Sequence, residues 1–455
     1  MVLNVVGLSP SLLGVDTPHL TRFAQQGSLR PIQGVLPAVT CSVQSTYLTG
    51  LWPNQHGIVG NGWYNRELAE IMFWKQANQL VAGEKVWETA KRREPGFTCA
   101  KLFFWYNMYS SADISITPRP IYLADGLKLP DFYTHPKTLH VELEQRFGAF
   151  PLFDFWGPNA GLKSSRWIAD AALYVQETKR PSLSLIYLPH LDYDLQRFGP
   201  GHARSRKAVR EIDALCGELI EAFERDGSRV VVLSEYGFSE VRAAIPINRA
   251  LREAGLIEVR EEVGLEKLDP GASAAFAVAD HQVAHVYVKD PARVAEVQAL
   301  LARLDGVETV LDRAGQREQH LEHARSGELV AISQKDRWFS YYYWLDDARA
   351  PEYARAVDIH RKPGYDPVEL FVDPNLLAPK LKVGWTLLKK ALGFRYMMDV
   401  IGLDTSLVRG SHGRTTNGSE QGPVLLTRPE LPPGTIPATA VRDVILADAY
   451  TPLPS

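Results

Sequence analysis

Thr40 sits in Pro37-Ala-Val-Thr-Cys-Ser-Val-Gln44, nine residues before the pair Thr49-Gly50, and His56-Gly-Ile-Val-Gly-Asn61 follows shortly after. Further along come Asp192 and Gln196 in Leu191-Asp-Tyr-Asp-Leu-Gln196, then Phe198-Gly-Pro200, Ser234-Glu-Tyr-Gly237 and Gly410-Ser-His-Gly413. A hydroxyl such as Thr40 is a nucleophile once a base or a cation takes charge of its proton. At the start of a helix it either caps the helix or shares the site with backbone N–H groups that suit a phosphoryl oxygen. Asn61, between two glycines, reads as a turn residue or as a donor to developing negative charge. Glu235 beside Tyr236 is a carboxylate next to a phenol, a plausible proton-transfer pair. Asp192, Gln196 and His412 offer oxygen and nitrogen donors to a cation, and a Gln amide oxygen favours hard ions over zinc.

These groups need elements to hold them. Val2 to Val6 is an apolar run closed by Gly7, a buried strand entering a loop, and Thr17-Pro18 reads as an N-cap followed by Pro at the first helical position. Leu183–Leu188 is a second buried strand, followed by a helix from about Ser205 with Val209, Ile212, Leu215, Cys216, Leu219, Ile220 and Phe223 at helical spacing. Arg229 to Leu233 then returns as a strand, and strand–helix–strand in that order implies a parallel sheet. A further unit runs from Val283–Val288 through a helix from Pro291 to Val307–Val310. Candidate residues fall after strands, where open α/β sheets bind ligands.

The 455 residues carry 45% apolar and 23% charged side chains and a net charge of −3, which favours a folded chain without a nucleic-acid footprint. Three widely spaced cysteines make neither a disulfide framework nor a Cys-based zinc site, so a reduced, cytoplasmic setting is expected. No apolar run is long enough to span a bilayer. The whole chain reads as a single α/β domain over 1–455. Within it, 63–165, rich in aromatics and proline, reads as a cap-like insertion over the sheet, and 325–408 as a second insertion. The latter holds the block Trp338–Trp344, which reads as core or as an apolar substrate pocket, and Asp358-Ile-His-Arg-Lys-Pro-Gly-Tyr-Asp-Pro367. It also holds a basic amphipathic segment, Lys380 to Phe394, that either packs on its own domain or makes weak membrane contact.

In order and spacing, the motifs resemble the alkaline phosphatase superfamily, and within it the nucleotide pyrophosphatase/phosphodiesterase-like branch that includes phosphonoacetate hydrolases. The resemblance reaches from the first strand to His412. It implies an alkaline-phosphatase-like fold, with a mostly parallel central sheet flanked by helices. It also implies Thr40 as the attacking nucleophile, Asn61 as a donor to the phosphoryl oxygens, and two metal ions. The chain departs from that pattern at the metals. Val6 stands where the first metal takes an Asp, and Glu235-Tyr236 stands for an Asp-His pair. At the other metal Asp192 and His412 are kept, but Gln196 replaces a His. The pattern leaves room for at most one divalent ion in the usual position, with Asp192, Gln196, His412 and Glu235 as ligand candidates. Asp194, Asp280, His281, His285, Asp358 and His360 are candidates for a rebuilt site, His281 and His285 sharing a strand face if the strand begins early enough. Arg361, Lys362 and Arg409 are candidates for an anion clamp, or are ordinary surface charge.

The resemblance implies a phosphoester hydrolase acting on a phosphorylated small molecule. Two alternatives stand beside it. One is a degenerate member that binds a phosphorylated or anionic small molecule without cleaving it. The other is an isomerase or lyase using Glu235 and Tyr236 as acid and base.

Overall fold

The computed structural model of the protein describes residues 1–124, 128–394, 397–416 and 419–450. Its largest sheet has eight strands. In chain order they are β1 (Val2–Val5), β2 (Ser28–Pro31), β3 (Cys99–Leu102), β4 (Ile114–Pro118), β5 (Phe132–His135), β6 (Leu183–Leu188), β7 (Val231–Leu233) and β8 (Val424–Thr427). Their spatial order is β2-β8-β7-β1-β6-β3-β4-β5. The run β7-β1-β6-β3-β4 is parallel, and β8 and β5 pair antiparallel at its two ends. All six residues of β6 are buried, as a parallel strand covered on both faces requires.

The helices include α1 (Thr40–Thr49), α2 (Leu162–Lys179), α3 (His190–Phe198), α4 (Ala203–Arg225) and α5 (Pro379–Ala391). The expected crossover is present, from β6 through α3 and α4 to β7, and it steps over β1, which pairs with both strands. Helix α4 begins two residues before Ser205. His202 is the N-cap, its ring accepting from the Arg204 N–H, while the Ser205 hydroxyl donates to the Gly199 carbonyl. At the other expected cap, Thr17 holds the N-cap position of the helix Pro18–Gln25, but its hydroxyl accepts from the Gly14 N–H instead.

Residues 63–165, expected as a cap-like insertion, contain three strands of the central sheet itself. They supply β3, β4 and β5, because the short apolar runs around Cys99 and Ile114 find pairing partners only in three dimensions. The second unit also departs from expectation. Ala275–Asp280, Val283–Val288, Leu329–Ser333 and Val307–Leu311 form, in that order, an antiparallel four-stranded sheet with its own core. Leu329–Ser333 lies between Val283–Val288 and Val307–Leu311, so the boundary expected at 325 cuts through this sheet. Tyr341, Tyr342, Tyr343 and Trp344 are buried in its core, so the aromatic block builds structure rather than an open pocket.

The hairpin Asp280↔Val283 turns through His281 and Gln282, and His281 adopts φ 61°. A non-glycine side chain there is uncommon and is held by its surroundings. Two backbone bonds brace the turn: Gln282 N–H donates to the His412 carbonyl, and Phe339 N–H donates to the His281 carbonyl. Among the described residues no helix is long and apolar enough to cross a membrane.

Candidate active site

The loops after β1, β6 and β7 converge with the start of α1 and the His281 turn. Thr40 is the first residue of α1, and Val39 occupies the N-cap position without a side-chain cap. The hydroxyl is therefore not used as a cap. It lies 3.0 Å from the Tyr236 hydroxyl, which in turn donates to Asp192 Oδ1 at 3.4 Å, a long bond of its kind. Thr40, Tyr236 and Glu235 are all buried.

Glu235 lies beside the Thr40 hydroxyl and is held from its other side by two amides. Its Oε1 accepts from Asn4 Nδ2 at 2.5 Å and from Gln44 Nε2 at 2.6 Å, while Oε2 meets no hydrogen-bond partner among the described residues. Burial raises its carboxyl to about 8, hydrogen bonds from Gln44, Asn4 and the Thr40 hydroxyl only partly offsetting the loss of water. Gln44 lies one helical turn after Thr40, and its side-chain Oε1 accepts from the Trp105 N–H. The motif residues of β7 are thus tied into the core under α1.

Asp192 lies in the first turn of α3. Its Oδ2 accepts from Gln196 Nε2 at 2.7 Å, and Gln196 Oε1 accepts from the Tyr365 hydroxyl at 2.9 Å. Burial raises Asp192 to about 7, against the hydrogen bonds from Gln196 and Tyr236. His412 stacks on Tyr236 with ring centroids 3.7 Å apart and donates from Nδ1 to the Ala38 carbonyl. Its Nε2 lies 3.6 Å from Asp192 Oδ1 and has no hydrogen-bond partner among the described residues. Burial lowers the pKa of His412, so the ring is neutral.

His281 packs between His412, at 3.8 Å, and Tyr365, at 3.7 Å. Its Nδ1 bonds Asp280 Oδ1 at 2.7 Å, and burial lowers its pKa too. The Asp280 carboxylate also takes the Asn61 backbone N–H and its side-chain amide, at 2.8 and 3.1 Å, and burial raises it to about 6. Asn61 Oδ1 accepts the Cys41 N–H at 3.1 Å. Asn61 thus bridges α1 to the His281 turn, with one amide N–H already committed.

The donor set does not fit the pair of metal ions that the resemblance implies. Val6 has no donor atom, neutral Tyr236 is a poor ligand, and Glu235 points at two amides. Gln196 presents its NH₂ to Asp192, and an amide donor beside a carboxylate takes the place of a cation. Among the described residues, no group of three or more His, Cys, Asp and Glu is placed to hold a metal.

The other candidates lie apart from this network. Asp194 pairs with Arg197 at 2.9 Å. His281 and His285 do not share a strand face, since the strand begins at Val283. His285 Nε2 bonds the Val59 carbonyl and Nδ1 accepts from Gly327 N–H, a structural role. His360 is exposed, beside Lys128 and Lys75. Arg361 pairs with Asp358 at the surface, and Arg409 is exposed. Lys362 is buried between Asp366 and Glu369, at 2.8 and 2.7 Å, and cannot reach out to an anion. The centre therefore gains no cationic side chain from these positions.

Four participants were missed from the sequence: Asn4, Gln44, Tyr187 and Tyr365. Two had a readable signal. Asn4 is a polar residue inside an apolar strand, and Gln44 falls four residues after Thr40 on the same helix face. Tyr187, whose phenol is buried beside Thr40, and Tyr365, in a turn-rich stretch, had none.

A family model described as type I phosphodiesterase / nucleotide pyrophosphatase matches residues 1–366. An uncharacterized pyrophosphatase/phosphodiesterase of Schizosaccharomyces pombe is 23% identical over 235 residues, covering 49% of this chain and 41% of that protein. Mouse ectonucleotide pyrophosphatase/phosphodiesterase family member 1 is 22% identical over 244 residues, covering 51% of this chain and 22% of that protein. The chain thus spans less than half the length of these curated relatives. In fold it is similar to phosphonoacetate hydrolase from Sinorhizobium meliloti in complex with phosphonoacetate, with a TM-score of 0.62 at 16% identity, covering 99% of this chain and 95% of that one. It is also similar to an inactive variant of murine ectonucleotide pyrophosphatase/phosphodiesterase 5 in complex with AMP, with a TM-score of 0.58 at 14% identity, covering 100% and 95%.

Proposed function

The chain belongs to the type I phosphodiesterase / nucleotide pyrophosphatase family, and from that premise we propose that it hydrolyses a phosphoric ester or anhydride bond of a small molecule, with Thr40 as nucleophile. The observation that carries this reading is the line Thr40–Tyr236–Asp192, which joins the nucleophile to a carboxyl group at about 7. A base poised near neutrality is what proton removal from a hydroxyl needs. Thr40 Oγ1 attacks phosphorus, its proton passes to the Tyr236 oxygen, and the Tyr236 proton passes to Asp192. The bond from phosphorus to the leaving oxygen breaks, and water then cleaves the phosphothreonine. The N-terminus of α1 faces the phosphoryl group with its dipole.

Turnover is expected to be slow. A divalent ion stabilises such a transition state by several kcal/mol, whereas a helix terminus offers about 1–2 kcal/mol. A second reading, binding without cleavage, is favoured by the commitment of Asn61 to Asp280, which occupies the group expected to stabilise charge on phosphorus.

The test is hydrolysis of a nitrophenyl phosphomonoester, a phosphodiester and a nucleotide pyrophosphate, with chelator and with added Mn²⁺, Mg²⁺ or Zn²⁺. We expect chelator-resistant turnover, abolished in Thr40→Ala and reduced about 10²-fold or more in Tyr236→Phe. Turnover that appears only with added metal overturns the proton relay. Saturable phosphate or nucleotide binding without turnover in the wild type supports the second reading.

A further inference from the structure

Helix α5 leaves its apolar face in solvent. Leu381, Trp385, Leu388 and Leu392 recur at spacings of four, three and four, one stripe along a helix, and are 76%, 59%, 47% and 64% exposed. Leu377, just before the helix, and Phe394, just after it, are exposed as well. The opposite side is what holds the helix to the fold. Thr386 is buried, and Val383 packs on the cluster that contains Trp338, Val368 and Ile401. Lys382 anchors the helix sideways to Asp399 at 2.9 Å.

The helix's own charges are of one sign. No acidic residue occurs in Pro379–Ala391, and Lys380 and Lys389 are exposed on either flank, the Lys389 ammonium lying 5.6 Å from the Trp385 ring. The chain as a whole carries a net charge of −3, so this face is basic against the overall balance. A second copy of the helix docked face to face would set lysine against lysine, which disfavours self-association. At 13 residues the helix is about 20 Å long, too short to cross a bilayer core of about 30 Å.

We propose that α5 is an in-plane membrane anchor that lays Leu381, Trp385, Leu388 and Leu392 into the headgroup boundary of an anionic bilayer while Lys380 and Lys389 meet the lipid phosphates. An exposed apolar stripe, an interfacial Trp and flanking lysines are the chemistry of such a surface.

The experiment is cosedimentation of the full chain with vesicles of phosphatidylcholine, with and without phosphatidylglycerol, at low and high salt. Vesicles with phosphatidylglycerol are expected to take up the protein, less so at high salt, and neutral ones to bind it weakly. Leu381→Glu with Leu388→Glu should weaken partitioning by ~10-fold or more, and Lys380→Glu with Lys389→Glu should remove the preference for anionic lipid. All four positions are exposed, so thermal melting should not change. No uptake by anionic vesicles, or undiminished uptake by the Leu variant, overturns the proposal. So does a concentration-dependent dimer that the Leu variant dissolves, because a second copy then covers the stripe.

Discussion

Glu235 is a carboxyl group treated as an amide. Two side-chain amides donate to one of its oxygens, and the other oxygen sits buried without a partner among the described residues. The protonated form suits that setting, which is why burial holds it at about 8. In the unfolded chain such a group ionises near 4.5. Between those values the native state keeps a proton that the unfolded chain has shed, so this group's stabilising contribution is full below about 4.5 and is lost as pH rises through about 8. Glu235→Gln keeps the shape and cannot ionise. It is expected to be close to wild type in stability at pH 5 and more stable at pH 9, by on the order of 2–4 kcal/mol. Urea unfolding at the two pH values measures this; a variant less stable than wild type at both would mean that the ionised carboxylate is the form the fold requires. At this scale the sequence was informative about identity and poor about direction. Thr40, Asp192, Tyr236 and His412 do come together, yet which way Glu235 and Gln196 point depends on Asn4, Gln44 and Tyr365, which come from distant segments.

At the scale of elements, periodicity found what local pattern controls. The strand Leu183–Leu188 and the long helix before β7 stand where the apolar spacing puts them. It failed where pairing partners decide, as in β3, β4 and the antiparallel sheet that receives Val307–Leu311. The loop from Asp358 to Leu370 is a further case. Its charges look like surface, but Lys362 is buried with Asp366 and Glu369, and Glu369 also accepts from Trp156 Nε1 and the Asp358 N–H. The cluster fixes the loop that carries Tyr365 over His281. Lys362→Met leaves two carboxylates buried without a cation and is expected to destabilise the protein by about 3–5 kcal/mol. Neutralising all three positions together (Lys362→Met, Asp366→Asn, Glu369→Gln) should recover most of that loss. Denaturant midpoints test both; a loss under about 1 kcal/mol for Lys362→Met would show that water enters the cluster.

Across the whole molecule, the centre is where the two sheets and the late loops meet. Loops of the eight-stranded sheet bring Thr40, Asp192 and Tyr236, the hairpin of the smaller sheet brings Asp280 and His281, and Tyr365 and His412 close it from later in the chain. Length, composition and charge were compatible with that arrangement without specifying it. The His412–Ala38 bond joins residues 374 apart, and Tyr365–Gln196 joins residues 169 apart. Contacts that close such long loops gain nothing until both sheets have formed, so their stabilisation belongs to the last stage of assembly. In kinetic terms the network is a latch. Loosening it with Tyr365→Phe should speed unfolding while leaving the slowest refolding phase unchanged. Stopped-flow unfolding and refolding in guanidinium would show this as a shift of the unfolding arm alone, and a matching slowdown of refolding would place the latch in the folding nucleus instead. Residues that resemble the catalytic string of this family would then also set how long the native chain survives between unfolding events.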